Sequence, residues 1–213
     1  MIQNELSGLR IVVLAAGFST RMGRSKMLVT VRGVSLIRRT VAVLAQFGAH
    51  SIVVVTSPRA TRLRAELRGY PVTLLANPQR ARGLSSSVIR ALRETRNGAA
   101  TLLLPADLGE LVPRDIARLI SRWRSAKRRV TARRLDGRAS TPLILPKWLY
   151  PQARRLVGDV GLQALIAALP EEQCMLVELS SAVRDVDTAG DLAAARRART
   201  PMTRGKSQLR YIR

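Results

Sequence analysis

The feature that most constrains this 213-residue chain is a regular alternation of short apolar runs with segments of helical pattern. The apolar runs end in glycine, asparagine, proline or aspartate, as parallel strands buried on both faces do. The intervening segments repeat apolar residues at helical spacing, and Gly48 and Gly69 stand where two of them would end. This order predicts an α/β fold with a mostly parallel sheet and helices on both faces.

The predicted elements follow each other along the whole chain. Strands are expected at Leu9–Ala16, Ser51–Thr56, Val72–Ala76, Ala100–Leu104, Val130–Leu135, Thr141–Leu145, Cys174–Leu179 and Val183–Val186. Helices are expected at Val34–Phe47, Pro58–Arg68, Leu84–Thr95, Pro113–Arg124, Val160–Leu169 and Ala189–Arg199. There is no internal repeat and no Gly/Ser linker, so a single domain is expected over 1–198. Within it, 130–180 would form a subdomain beside the cleft, and 199–213 would be a basic tail.

The charge balance suggests a polyanionic partner, but it has a simpler explanation. The formal charge is +23, from 37 basic and 14 acidic residues, and only four of the basic residues are lysines. So strong an arginine bias is typical of genome-wide codon composition, and most arginines are expected on solvated faces. Aromatics are only 3% of the residues and no reading helix is visible, which argues against nucleic acid as the partner. A non-enzymatic, arginine-rich nucleic-acid-binding protein stays open as an alternative.

Two residue counts exclude other classes of protein. One cysteine, Cys174, excludes a disulfide framework and a cysteine-based zinc site, and one histidine, His50, argues against histidine metal sites and triads. The apolar runs are far shorter than the roughly 18 residues that span a bilayer. The N-terminus lacks the pattern of a signal peptide. We therefore expect a cytoplasmic protein without membrane insertion, acting as a monomer.

The loop after the first predicted strand has the composition of a phosphate-binding loop. It runs from Leu14 to Lys26 and contains two glycines, hydroxyls and several cations. Glycines let backbone N–H groups approach phosphate oxygens, and cations neutralise them. The spacing is not that of a P-loop. Lys26 is the only lysine in the first 126 residues, which suggests a position that needs a compact ammonium group.

Several aspartates and hydroxyl residues lie where strands end or helices begin. Asp107 and Asp187 each follow an apolar strand, where a carboxylate can bind Mg²⁺ or simply form a turn or cap a helix. The segment 77–87 brings Gly83 and three serines to a helix start, suited to an anion, a base edge or a serine cap. Asp159 lies between two glycines before another predicted helix, where a capping role is the simpler interpretation.

Taken in order, these segments resemble the MobA-like nucleotidyltransferase family, and most closely its molybdenum cofactor cytidylyltransferase (MocA-like) branch. The family's opening loop, LAAGxSxRMGxxK, is matched in full by LAAGFSTRMGRSK. Later family motifs are similar to VRGVSLIRRTV, NPQRARGLSSSV, LLLPADLGELVP, LVGDVGLQALI and VRDVDTAGDL. The chain lacks the family's proline after Asp107 and has Ser140-Thr141-Pro142 where the family has Gly-His-Pro.

The resemblance implies a three-layer Rossmann-like nucleotidyltransferase fold and a specific reaction. CMP from CTP would pass to a phosphorylated acceptor, molybdopterin, with release of pyrophosphate and with Mg²⁺ as cofactor. The implied catalytic residues are Lys26, Arg21 and Asp107, and the implied metal ligands are Asp107 and Asp187. The implied nucleotide-binding residues are Leu14, Ala15, Ala16, Gly17, Ser19, Arg21, Lys26, Asn77, Gly83, Ser85 and Ser86. Those implied on the acceptor side are Thr141, Pro142 and Asp159.

Two other functions stay open beside this one. One is a nucleotidyltransferase acting on a sugar phosphate or an alditol phosphate. The other is a catalytically silent relative that only binds nucleotide, which the altered acceptor-side motifs allow.

Overall fold

The computed structural model describes residues 6, 8–17, 26–47, 52–108, 111–159 and 161–179. The strands are β1 (Leu9–Ala15), β2 (Thr30–Val31), β3 (Val34–Ser35), β4 (Ile52–Thr56), β5 (Val72–Ala76), β6 (Ala100–Pro105), β7 (Val130–Leu135), β8 (Arg138–Pro146) and β9 (Cys174–Val177). The helices are α1 (Leu36–Ala45), α2 (Thr61–Glu66), α3 (Leu84–Glu94), α4 (Pro113–Ser125), α5 (Tyr150–Ala153) and α6 (Leu162–Ala167).

Within the described residues, seven strands form one sheet in the order β5-β4-β1-β6-β8-β7-β9. Strands β5, β4, β1 and β6 are mutually parallel. Strand β8 runs antiparallel to both β6 and β7, and β9 is parallel to β7. The strands predicted within 130–180 therefore extend the same sheet as those of the first half. The predicted α/β fold with a mostly parallel sheet is confirmed.

The apolar strands are buried because helices cover both faces of the sheet. Ile11 and Val13 on β1 belong to the core cluster beneath α1, α2 and α4. Val12, which points the other way, belongs to the cluster beneath α3, α5 and α6. Since alternate residues of a strand face opposite sides, an unbroken apolar run is what a central strand between two helical layers requires.

The elements differ from the predicted ones mainly at their ends. The helix predicted from Val34 begins at Leu36, because Val34 and Ser35 pair with β2 in a short hairpin. Its turn is Arg32-Gly33, with φ of 54° and 77°, a combination typical of tight hairpins. Two helices are shorter than expected, at Thr61–Glu66 and Leu162–Ala167.

Strand β8 is longer than predicted, because its pairing with β7 continues to the turn at Asp136-Gly137. The predicted strand Val183–Val186, the predicted helix Ala189–Arg199 and the basic tail 199–213 lie outside the described residues. In the part of the chain that the structure covers, none of the helices combines the length and the apolar character needed to span a membrane.

The sheet topology brings three chain segments to one edge. Leu14 at the end of β1 is level with Pro105 at the end of β6. Because β8 is antiparallel to β6, with Leu103 opposite Leu143, the first half of β8 reaches the same edge. Ligands of open α/β sheets bind beyond this carboxyl edge.

Candidate active site

A cleft of about 420 Å³ lies at the carboxyl edge of the sheet. Its walls come from the end of β1, the start of α3, the end of β6, the first half of β8 and the start of α6. Its interior is mostly apolar, with a few polar groups directed into it, as is usual for small-molecule sites.

An ion pair joins the two charged residues that the sequence singled out. The Lys26 Nζ atom lies 2.7 Å from Asp107 Oδ2, and the two side chains are only 13% and 17% exposed. Lys26 begins a 3₁₀ helix at Lys26–Leu28. Asp107 lies two residues after the end of β6 and lines the cleft. Loop and strand end thus place a compact cation against a carboxylate at the edge of the cleft.

The second carboxylate oxygen of Asp107 is a buried acceptor. Asp107 Oδ1 has no hydrogen-bond partner among the described residues. A buried oxygen without a donor is costly, unless a ligand or a cation satisfies it. Within the described ranges no group of three or more His, Cys, Asp or Glu side chains could hold a metal by itself, and Asp187 lies outside them. A single carboxylate oxygen of this kind fits a divalent cation, for which it would be one ligand.

The turn that carries Asp107 is held from two sides. The Ala106 N–H donates to the Leu14 carbonyl over 3.0 Å, and the Thr40 hydroxyl donates to the Ala106 carbonyl over 3.2 Å. Thr40 lies on α1 and is completely buried. Asp107 is therefore fixed relative to both β1 and α1.

The described part of the predicted nucleotide loop lies partly in the cleft. Leu14, Ala16 and Gly17 line it, whereas the side chain of Ala15 points into the core on the opposite face of the sheet. Ser19 and Arg21 lie outside the described residues.

The start of α3 is in close contact with the loop that precedes α6. Gly83 has φ 88° and ψ −177°, and a Cβ atom there would lie 2.4 Å from the Gly158 carbonyl carbon. The Leu84 N–H donates to Asp159 Oδ1, and the Ser85 N–H donates to the Gly158 carbonyl, each over 3.1 Å. Asp159 lines the cleft and caps α3, a helix 75 positions away in sequence, instead of the helix that follows it.

Three of the predicted nucleotide-binding residues lie beside the cleft. Asn77, Ser85 and Ser86 are buried and line a separate cavity on the other side of α3. The Asn77 amide nitrogen donates to the hydroxyls of Ser86 and Ser87, over 2.9 and 3.0 Å, and its oxygen accepts from the Gln79 N–H over 3.0 Å. These bonds hold the chain around the start of α3, so a direct nucleotide contact of the three residues stays a prediction.

The cleft also contains residues of these motifs that were not among the predicted site residues. Ser87 lines it and Ser85 does not, because helical spacing places Ser87 on the same face of α3 as Gly83 and Leu84. Counting that spacing from Gly83 could have found Ser87. Arg80 and Gln163 also line the cleft, and no local signal distinguishes them from other polar residues.

On the predicted acceptor side, Thr141 and Asp159 line the cleft together. Pro142 is buried next to Thr141 and is not among the lining residues, because successive residues of β8 point to opposite sides.

A mostly parallel sheet with an apolar cleft at its carboxyl edge, and a lysine paired with a carboxylate there, is an arrangement typical of nucleotide-binding α/β enzymes. A family model described as the MobA-like NTP transferase domain matches residues 11–174, so the chain belongs to this family of nucleotidyltransferases. The family predicted from the sequence motifs is confirmed at this level.

The curated relatives match only part of the chain. Two proteins named "Bifunctional IPC transferase and DIPP synthase" are similar to it. The one from Rubrobacter xylanophilus is 40% identical over 92 residues, which are 40% of this chain and 21% of that protein. The one from Thermococcus kodakarensis is 37% identical over 83 residues, which are 37% of this chain and 19% of that protein. The chain thus spans about a fifth of the length of these relatives.

Solved structures share the fold across most of the chain. Rv0371c from Mycobacterium tuberculosis H37Rv has a TM-score of 0.75 at 23% identity, covering 90% of this chain and 98% of that one, and it has also been solved in complex with manganese. A nucleotidyl transferase from Methanothermobacter has a TM-score of 0.74 at 24% identity, covering 88% and 95%. A 4-diphosphocytidyl-2C-methyl-D-erythritol synthase from Anaerococcus prevotii has a TM-score of 0.71 at 13% identity, covering 89% and 97%. The Rossmann-like nucleotidyltransferase fold expected from the motifs is confirmed.

Proposed function

We propose that the protein transfers a nucleoside monophosphate from a nucleoside triphosphate to the phosphate of a sugar or alditol. An oxygen of the acceptor phosphate attacks the α-phosphorus and forms the new P–O bond. The bond from the α-phosphorus to the bridging oxygen breaks, and pyrophosphate leaves with that electron pair. The observation that carries the proposal is the Lys26–Asp107 pair at the cleft, with Asp107 Oδ1 left as a buried acceptor.

Such a transfer depends on positioning and charge neutralisation more than on a covalent nucleophile. The backbone around Leu14–Gly17 would hold the nucleotide, and the Lys26 ammonium would neutralise charge at the α-phosphate. We also propose Ser19 and Arg21 in the loop and Asp187 beyond β9 as contributors, as the family motifs imply.

Asp107 would hold a divalent cation through Oδ1, because a carboxylate oxygen is a preferred ligand of Mg²⁺ and Mn²⁺. A cation held there would neutralise phosphate charge and act as a Lewis acid. The manganese complex of Rv0371c supports a divalent ion, and we propose Mg²⁺ as the ion in the cell.

The names of the relatives support the choice of acceptor. Both curated relatives are described as an IPC transferase and DIPP synthase, and one fold neighbour makes a diphosphocytidyl derivative of methylerythritol. We therefore propose CTP as the donor and a sugar or alditol phosphate as the acceptor. Molybdopterin is the second candidate, favoured by the opening loop LAAGFSTRMGRSK. We further propose one domain over 1–198, with 130–180 on the acceptor side, and a cytoplasmic monomer.

The proposal is tested by pyrophosphate release from CTP, GTP, UTP and ATP in turn, with Mg²⁺, Mn²⁺ or EDTA. Each donor is combined with sugar phosphates, alditol phosphates and molybdopterin as acceptors. We expect release with CTP and a sugar or alditol phosphate, and its loss in EDTA. Pyrophosphate release with molybdopterin as acceptor, and with no sugar or alditol phosphate, would support the second candidate. Nucleotide binding without pyrophosphate release from any combination of donor and acceptor would support a catalytically silent relative.

Matched variants connect the activity to the ion pair. Lys26→Met and Asp107→Asn should each lower kcat by about 10²–10³-fold, the range found when one charge-stabilising group is removed. Lys147→Met and Asp136→Asn make the same chemical changes at exposed positions outside the cleft and should leave kcat within about twofold of wild type. Near-wild-type turnover in both Lys26→Met and Asp107→Asn, with the fold retained by circular dichroism, would refute the proposal.

A further inference from the structure

A second cavity lies on the side of α3 that faces away from the cleft. Its volume is about 410 Å³, and its walls are α3, the segment 76–82 and the loop 156–158. Ser86, Ile89, Arg90 and Arg93 all line it. Their spacing of three and four residues places them along one face of the helix. One wall of the cavity is therefore a regular helix, α3.

The charge of this cavity is entirely positive. Arg82, Arg90 and Arg93 line it, and no lining residue is a carboxylate. Arg90 Nε donates to the Ala76 carbonyl over 3.3 Å, which holds its guanidinium at the cavity wall. Arg82 and Arg93 are exposed, and neither forms a salt bridge with a residue in the described ranges. Planar guanidinium groups that are not used by protein carboxylates can accept phosphate oxygens in pairs.

Part of the cavity lining is apolar. Leu156 and Val157 line it from the loop 156–158, and Ile89 lines it from α3. Val157 is 78% exposed, the highest value among the large apolar residues that the structure describes as exposed. An exposed apolar side chain beside a basic pocket suits a ligand that has both a charged and an apolar part.

We propose that this cavity is a second ligand site, separate from the nucleotide cleft, which binds a small phosphorylated organic molecule. The phosphate lies against Arg82, Arg90 and Arg93, and the organic part packs against Leu156 and Val157. Asn77, Ser85 and Ser86 of the family motif also line this cavity, but the transfer reaction at the cleft does not use it. The second site therefore stands independently of the proposed function.

The two sites share structural elements. Gly83 is in contact with Gly158, and both flank the wall between the cleft and the second cavity. Ser87 faces the cleft from the same helix on which Ser86 faces the cavity. The loop 156–158 therefore forms part of the wall that separates the two sites.

Binding of phenyl phosphate to the full-length protein tests this proposal. Isothermal titration calorimetry gives the affinity, and the backbone amide shifts of the ¹⁵N-labelled protein give the location. The variant Arg82→Gln/Arg93→Gln removes two exposed charges from the cavity, and Arg62→Gln/Arg96→Gln removes two exposed charges elsewhere. A Leu156→Ser/Val157→Ser variant removes the apolar wall. Thermal unfolding checks that all variants fold.

We expect phenyl phosphate to bind more tightly than inorganic phosphate and to shift amides of Arg82 and Gly158. The Arg82→Gln/Arg93→Gln variant should bind it at least about tenfold more weakly, with the Arg62→Gln/Arg96→Gln control within about twofold of wild type. The apolar-wall variant should lose the preference for phenyl phosphate over inorganic phosphate. Absence of binding, equal weakening in the control, or shifts confined to Gly17 and Leu103 in the cleft would overturn the proposal. Turnover is not used as a readout, so failure of the proposed reaction would leave this result unaffected.

Discussion

The contact between Gly83 and Gly158 makes Gly83→Ala an informative substitution. With φ 88° and ψ −177°, Gly83 occupies a backbone region that is essentially restricted to glycine, and a side chain there costs about 1–3 kcal/mol. The new Cβ would also lie 2.4 Å from the Gly158 carbonyl carbon and 2.7 Å from Asp159 Oδ1. The loop must therefore move away from α3.

Movement of that loop would break the two hydrogen bonds that join it to the Leu84 and Ser85 N–H groups. Each such bond contributes about 0.5–1.5 kcal/mol, so the total loss for Gly83→Ala is about 2–6 kcal/mol of unfolding free energy. Gly69→Ala is the matched control, since Gly69 also has φ 88° but a Cβ there meets nothing within 4 Å. We expect the control to lose only about 1–2 kcal/mol.

Urea denaturation followed by circular dichroism measures both losses. Because Gly83 and Asp159 also line the cleft, the KM for nucleoside triphosphate should rise in Gly83→Ala and not in Gly69→Ala. If Gly83→Ala destabilises the protein no more than Gly69→Ala, the close approach of α3 to this loop does not exist in solution, and the argument for a shared wall fails with it.

Two further predictions concern buried hydroxyls. Thr40→Val keeps the side-chain shape but leaves the Ala106 carbonyl without its donor, so we expect a loss of about 1–3 kcal/mol in urea denaturation and a lower kcat, because Asp107 is held by this turn. An unchanged kcat would show that Asp107 does not depend on Thr40. Burial raises the pKa of Tyr150 above its ordinary value of 10.0, so the unfolded chain releases that proton first as the pH rises, and the free energy of unfolding falls above about pH 10. In Tyr150→Phe, the free energy of unfolding should fall less over this pH range than it does in the wild type. A difference in unfolding free energy between variant and wild type that stays constant between about pH 8 and 11 would contradict this prediction.

The central part of the site could be predicted because it depends on strand ends. A buried apolar strand that ends in a glycine loop and another that ends in aspartate must meet at the same edge of a parallel sheet. This reasoning brings the loop of Lys26 and the turn of Asp107 to one cleft, and the structure places their side chains 2.7 Å apart. Lys26 could be singled out because it is the only lysine in the first 126 residues, among many arginines.

The wall around α3 could not be predicted, because its contacts are distant in sequence. Local pattern suggested that Asp159 caps the helix after it, whereas its oxygen accepts from Leu84, 75 positions earlier. Asn77 likewise follows a strand at the correct edge, but its amide turns to the hydroxyls of Ser86 and Ser87. Residue type and strand end indicate which side of the sheet such a residue occupies. They do not determine which neighbouring group its side chain forms hydrogen bonds with.

The position of β8 in the sheet has a consequence for the order in which the chain can fold during synthesis. Strand β6 has every residue from Ala100 to Leu104 buried, yet one of its edges is completed only by Leu143–Pro146 of β8. While the ribosome is still adding the residues between them, the strand that leads to Asp107 has unpaired backbone groups along an apolar edge. A nascent chain that stops before β8 has emerged would therefore expose an aggregation-prone strand edge. The part of the sheet that carries Asp107 can be completed only after β8 has been synthesised.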